Sequence, residues 1–159
     1  MVDRLAFPLA LRQQLIDHAR EGDPDEVCGM LAGRAGQIQR VFRVHNVADE
    51  ITADQEVFLD RETHVATSGR RPMHYYMDPL DQLRVYREID DLDLDVVAYY
   101  HSHTHTEARP SPTDIRLARD PSALWVLVSL TDQPAVRAWR IDKADPMDEN
   151  GTLLEVPLA

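Results

Sequence analysis

Residues 99–114 read YYHSHTHTEARPSPTD and hold three of the chain's seven histidines within five positions. Successive residues of a β-strand point to opposite faces. With DVVAYYHSH as a buried strand, His101 and His103 therefore project from one face, their Cα atoms roughly 6–7 Å apart. Both imidazoles then reach a single ion. Zinc takes imidazole nitrogen and carboxylate oxygen in tetrahedral geometry, and a catalytic zinc keeps its fourth position for water. Asp114, in the first turn of a helix that starts at SPTD, is the best-placed third ligand. A hydrolytic centre also needs a general base for that water. Glu26 is attractive because it follows GDPD and opens the apolar strand EVCGMLAG, yet a glutamate there ordinarily faces solvent, and spacing alone does not select it from nine glutamates.

Each piece has a plainer reading. Two histidines at i and i+2 also suit the exposed side of a strand. Ser-Pro-Thr-Asp has the form of a capping box, with serine at the N-cap, proline at the first helical position and an acid at the third. The two readings of that segment are compatible, since Ser111 can start the helix that presents Asp114. His105 falls in the loop of residues 104–110 and is expected at the rim. His18, His45, His64 and His74 are scattered, and no site is expected from them. Cys28 is the sole cysteine, which excludes an intrachain disulfide and a Cys-rich zinc site. As a nucleophile it lacks a basic neighbour in sequence, and an inert core residue is the expectation.

These groups need a scaffold. Leu11, Leu15, Ile16 and Ala19 recur at helical spacing in FPLALRQQLIDHAREGDP, which ends at Gly22 and Pro24. EVCGMLAGR and GQIQRVFRVHNVA read as two strands turning at Gly36. Residues 48–72 are polar and irregular, with SGRRP expected as a flexible loop. DPLDQLRVYREIDDL reads as an amphipathic helix capped by Asp78, with Pro79 at its first position and Leu80, Leu83 and Ile89 as the expected apolar stripe. ALWVLVSL, AVRAWRID and TLLEVPL are strands, the last of them antiparallel. A sheet with helices packed against it follows.

At 159 residues one domain, 1–159, is expected. The net charge of −11 argues against nucleic acid, whose binding rests on Lys and Arg neutralising phosphates. Only Lys143 among the 17 basic residues is a lysine. No segment approaches the roughly 20 apolar residues of a membrane span, and the N-terminus lacks a signal peptide's apolar core. A cytoplasmic protein without a membrane role is the expectation. The oligomeric state stays open, a homodimer included.

The joint pattern is more specific than its parts. Glu26 at the head of EVCGMLAG, His-Ser-His, seven residues, Ser111, two residues and Asp114 resemble the signature of the JAMM (MPN+, JAB1/Mov34) metalloprotease family, from the first helix to residue 141. The resemblance implies an α/β (α+β) fold with one curved mixed sheet packed with helices, cytidine-deaminase-like in outline. It implies His101, His103 and Asp114 as ligands of one Zn2+, Glu26 as general acid/base, and Ser111 as oxyanion stabiliser. Many members have proline after the second histidine where this chain has Thr104. Residues 99–114 are instead similar to the bacterial branch of CysO-cysteine peptidases, as are YYMDPLDQLRVYREIDD and LWVLVSLTDQPAVRAWRI. Within that branch the implied activity is hydrolysis of the peptide or isopeptide bond after the C-terminal Gly-Gly of a ubiquitin-like sulfur-carrier protein, for example releasing cysteine in cysteine biosynthesis. Residues 48–72 are longer and more polar than in that branch. The family also contains non-catalytic modules that bind ubiquitin-like partners, which is the alternative; those modules lose the signature residues.

Overall fold

Pro8 leads into helix α1 (Leu9–Gly22), which buries Leu15 and Ala19 and packs Leu11 and Ile16 beside them, the face expected from their spacing. The computed structural model describes residues 3–51, 70–131, 133 and 135–159. Strands β1 (Cys28–Arg34) and β2 (Gln37–Val44) form an antiparallel hairpin. Ala35 and Gly36 join them at φ 50° and 74°, the doubly positive pair that matches the twist of the flanking strands.

Helix α2 (Pro79–Asp91) begins as expected: the Asp78 side chain accepts from the Leu80 amide, with Pro79 at the first position. Its apolar stripe keeps Ile89 as expected but not Leu80 and Leu83. Leu80 and Leu83 are 78% and 45% exposed, whereas Val85 and Ile89 are buried. The helical period explains the correction. At 3.6 residues per turn Leu80 lies about 180° from Ile89, so the two cannot share a face, whereas Val85 and Ile89 are one turn apart.

Strands β3 (Asp95–His103), β4 (Leu124–Ser129), β5 (Val136–Asp142) and β6 (Thr152–Val156) complete a six-stranded sheet in the order β2-β1-β3-β4-β5-β6. Neighbours are antiparallel, the last three strands included, except that β3 and β4 are parallel. A parallel pair needs a crossover. Here the crossover carries helix α3 (Pro112–Leu117) back from the C-terminal end of β3, the end that bears the histidines.

Alternation sorts the core into two layers. Leu31, Ala98, Tyr100, Val126 and Ala138 pack with Leu15 and Ala19 of α1. Cys28, Met30, Tyr99 and Trp125 pack with Val85 and Ile89 of α2. His101 and His103, in phase with Tyr99, belong to the α2 side. In the stretch 48–72, Ala48–Glu50 forms a short 3-10 helix. Arg70 is buried and donates to the Ile51 carbonyl at 2.6 Å, so this part of SGRRP is anchored rather than a free loop. Residues 52–69, His64 among them, lie outside the described residues. Among the described residues no helix is long and apolar enough to cross a membrane.

Candidate metal centre

The β1–β3 register builds one half of the centre. Cys28 pairs with His101, so two residues further along the antiparallel ladder Glu26 stands opposite His103. Val27 and Ser102 extend the pairing to that point. The Val27 amide donates to Ser102 Oγ at 2.8 Å, and the Ser102 amide donates to the Val27 carbonyl at 3.0 Å. Glu26 thus precedes the first residue of β1 rather than opening it, and it is buried with the histidines instead of facing solvent.

The other half comes from the crossover. Trp139 Nε1 donates to the Ala108 carbonyl at 2.8 Å and Ser129 Oγ to the Thr106 carbonyl at 2.6 Å, holding the loop after β3 against β4 and β5. Ser111 then caps α3 in a full capping box, its Oγ accepting from the Asp114 amide at 3.1 Å while its own amide donates to Asp114 Oδ2 at 2.8 Å. That same Oδ2 lies 2.9 Å from His101 Nε2 and 3.1 Å from His103 Nε2. The oxygen that closes the capping box is thus the one on which both imidazoles converge. With its lone pair turned to the Asp114 amide, the Ser111 hydroxyl keeps a proton to donate elsewhere.

Glu26, His101 and His103 each offer a ligand atom, mutually within 4.8 Å. Two imidazole nitrogens flanked by two buried carboxylates suit a divalent cation of zinc's kind. His103 supports this fit. Its Nδ1 donates to the Glu107 carbonyl at 2.8 Å, which aims Nε2 at Asp114. A ring with acceptors at both nitrogens either carries two protons or exchanges the Nε2 proton for a cation.

The two carboxylates are driven apart. Burial works against ionisation of Asp114, but the charges and hydrogen bonds of His101 and His103 outweigh it and hold its pKa well below the ordinary carboxylate range. Burial, reinforced by the Asp114 charge, pushes Glu26 well above that range. Burial lowers the His101 pKa despite Asp114. His103 loses to burial but gains more from Asp114 and the Glu107 carbonyl, and its pKa rises.

Three participants carried no signal in the sequence. Tyr75 stacks on His101 with ring centroids 4.2 Å apart and an interplanar angle of 23°. Asn46 Nδ2 donates to the carbonyls of Glu26 and His74, and its Oδ1 accepts from the amides of Ala48 and Tyr76, so one amide ties both flanks together. Lys143 reaches the far end of α3. Three other histidines stand apart: His105 is exposed and pairs with Thr104 Oγ1, His18 with Tyr100 Oη, and exposed His45 with Asp81. Cys28 is buried, and its thiol donates to the Val44 carbonyl.

Residues 8–142 match the family described as prokaryotic homologs of the JAB domain. The chain belongs to that family. This JAB-domain chain is 37% identical over 141 residues to the CysO-cysteine peptidase of Mycobacterium tuberculosis, an alignment covering 85% of this chain and 84% of that protein. Its fold is similar to that of protein DSY2949 from Desulfitobacterium hafniense, with 25% identity, a TM-score of 0.71, and coverage of 98% of this chain and 91% of that one. It is also similar in fold to the structure described as JAMM, a metalloprotease-like zinc site in the proteasome and signalosome, with 14% identity, a TM-score of 0.51 and 98% coverage of both chains.

Proposed function

We propose that this JAB-domain protein is a zinc-dependent peptidase that hydrolyses the bond after the C-terminal Gly-Gly of a ubiquitin-like sulfur-carrier protein, releasing cysteine or another short extension. One observation carries the reading. Two imidazole Nε2 atoms converge on Asp114 Oδ2, and a second, protonation-prone carboxylate on Glu26 stands among the same donors. The similarity to the mycobacterial CysO-cysteine peptidase supports the substrate class.

His101 Nε2, His103 Nε2 and Asp114 Oδ2 are the proposed ligands of one zinc ion. When bound, zinc supplies Lewis acidity that polarises the scissile carbonyl and makes water more acidic. Asp114 suits the ligand role because it stays ionised. Glu26 suits proton transfer because burial raises the affinity of its carboxylate for a proton. Glu26 takes a proton from the attacking water at its carboxylate oxygen as the water's oxygen bonds to the carbonyl carbon. It then returns that proton to the leaving nitrogen as the C–N bond breaks. Ser111 donates its hydroxyl proton in a hydrogen bond to the developing oxyanion. Tyr75, stacked on His101, keeps that ring in plane and water away from its face.

Glycine is required on the acyl side because a tail that passes close to the sheet leaves no room for a β-carbon. The test is mass spectrometry of a carrier–cysteine fusion incubated with the protein, alongside a Gly-Gly→Ala-Ala version. Cleavage of the first alone, abolished by chelator, is the expected result. Equal cleavage of both would overturn the carrier specificity, and cleavage of neither would favour a binding module.

A further inference from the structure

Helix α3 has six residues, so its rise is only about 9 Å and neither end moves without the other. Its N-terminal end carries Ser111 and Asp114. Apart from the Ala118 amide, which donates to the Ile115 carbonyl at 3.2 Å, its C-terminal carbonyls have no later turn to bond to, and a side chain 25 or more residues downstream meets them. Lys143 Nζ, just past the end of β5, donates to the carbonyls of Ile115 at 2.9 Å, Arg116 at 3.2 Å and Ala118 at 3.0 Å. All three ammonium protons are thereby used.

The residue type matters here. Lys143 is the only lysine in a chain whose other side-chain cations are arginines. A compact ammonium directs three donors at carbonyls that converge on a point, whereas a guanidinium presents a flat fork suited to planar pairs of oxygens. The stem has a made path as well. A β-carbon at Gly151 would fall 2.8 Å from Lys143 Cγ, 2.9 Å from the Asp142 carbonyl oxygen and 3.3 Å from Ile115 Cγ2, so glycine there leaves room both for the end of β5 and for the lysine to lie against the helix. The placement of a cation at a helix C-terminus is also electrostatically favourable.

We propose that Lys143 is a positioning residue for the metal ligand Asp114, holding α3 by its C-terminal carbonyls so that Asp114 Oδ2 meets His101 and His103. The proposal rests on the reading of Asp114 as a ligand. Lys143 touches neither the metal nor the substrate; it acts through the helix.

A lysine that served general stability alone would not alter metal affinity beyond what any equally destabilising change does. The experiment is zinc affinity of the full chain by competition with a chromogenic chelator. The set is wild type, Lys143→Met, Lys143→Arg, Gly151→Ala, Asp114→Ala, the pair Lys143→Met/Asp114→Ala, and Leu15→Ala on the opposite side of the sheet as a stability control. Lys143→Met is expected to weaken zinc binding about 10–100-fold, the range for groups that orient ligands. Lys143→Arg should recover part of that loss, and Leu15→Ala should stay close to wild type. In the Asp114→Ala background, Lys143→Met should cost nothing further. If Lys143→Met does not fold, Gly151→Ala, which displaces the stem and keeps the ammonium, should show the same weakening. Wild-type affinity in both Lys143→Met and Gly151→Ala overturns the proposal, as does an undiminished loss in the Asp114→Ala background. Wild-type affinity in Asp114→Ala overturns the ligand assignment itself, and the role of Lys143 with it.

Discussion

Cys28 and His101 stand directly across from one another on β1 and β3. Opposed residues of an antiparallel pair share a face. This register fixes Glu26 beside His103, while the sole thiol, on the face of His101, turns away to donate to the Val44 carbonyl. Burial, with the charges of Glu26 and Asp81, pushes the Cys28 thiol far above its ordinary pKa, so it is held protonated. Cys28→Ser should lower stability by about 1–3 kcal/mol through the buried hydroxyl and leave metal binding and turnover intact. Denaturant melts and a cleavage assay check this, with iodoacetamide on the wild type alongside. Activity that thiol reagents destroy and chelators spare would indicate a cysteine hydrolase.

Glu26→Gln keeps the shape of the side chain but cannot accept a proton. It should retain the metal and lose about 10²–10⁴ in rate, the usual contribution of general acid–base catalysis. Metal content and turnover measured on the same sample decide it. Wild-type turnover would show that another group moves the proton.

How much of this was legible beforehand follows from the kinds of signal involved. His101, His103 and Asp114 lie within 14 positions, so strand alternation and a capping box were enough to bring them together. Glu26 is 75 residues from His101 in sequence, and only the β1–β3 pairing makes them neighbours; periodicity within a strand says nothing about which strand lies next to it. The joint spacing of the whole set was what singled Glu26 out. Helix α2 was located by Asp78 and Pro79, but its buried face was misjudged because Leu80 and Leu83 are apolar and yet exposed. Asn46, Tyr75 and Lys143 act through backbone carbonyls or ring stacking, and no pattern in the chain announces such contacts.

Ser111 caps α3, and the proposed function gives it a second, separable duty as oxyanion donor. Ser111→Ala removes the cap of α3, costing about 1 kcal/mol of stability, and removes one oxyanion donor, costing about 10²–10³ in rate. Ser111→Asn restores a capping side chain and should recover the stability more fully than the rate. Paired thermal melts and turnover numbers check it; a rate that follows stability across both variants would leave Ser111 as a cap only.

His18 gives the fold an acid sensitivity away from the centre. Its Nδ1 lies 2.7 Å from Tyr100 Oη. Burial, helped by the Arg43 charge and opposed by Glu21, lowers its pKa to about 4, against about 6.5 in an unfolded chain. The unfolded state therefore binds more protons between these values, and stability falls as pH drops from about 6.5 toward 4. Urea midpoints between pH 7 and 4.5 should fall less steeply for His18→Gln than for wild type. Parallel slopes would remove His18 as the cause.

Elemental analysis of protein purified without added metal bears most directly on the central claim, that His101, His103 and Asp114 hold a zinc ion. About one zinc per chain is expected in the wild type, with occupancy lost in His103→Ala while the fold, by circular dichroism, persists. Full zinc occupancy in folded His103→Ala would contradict the account.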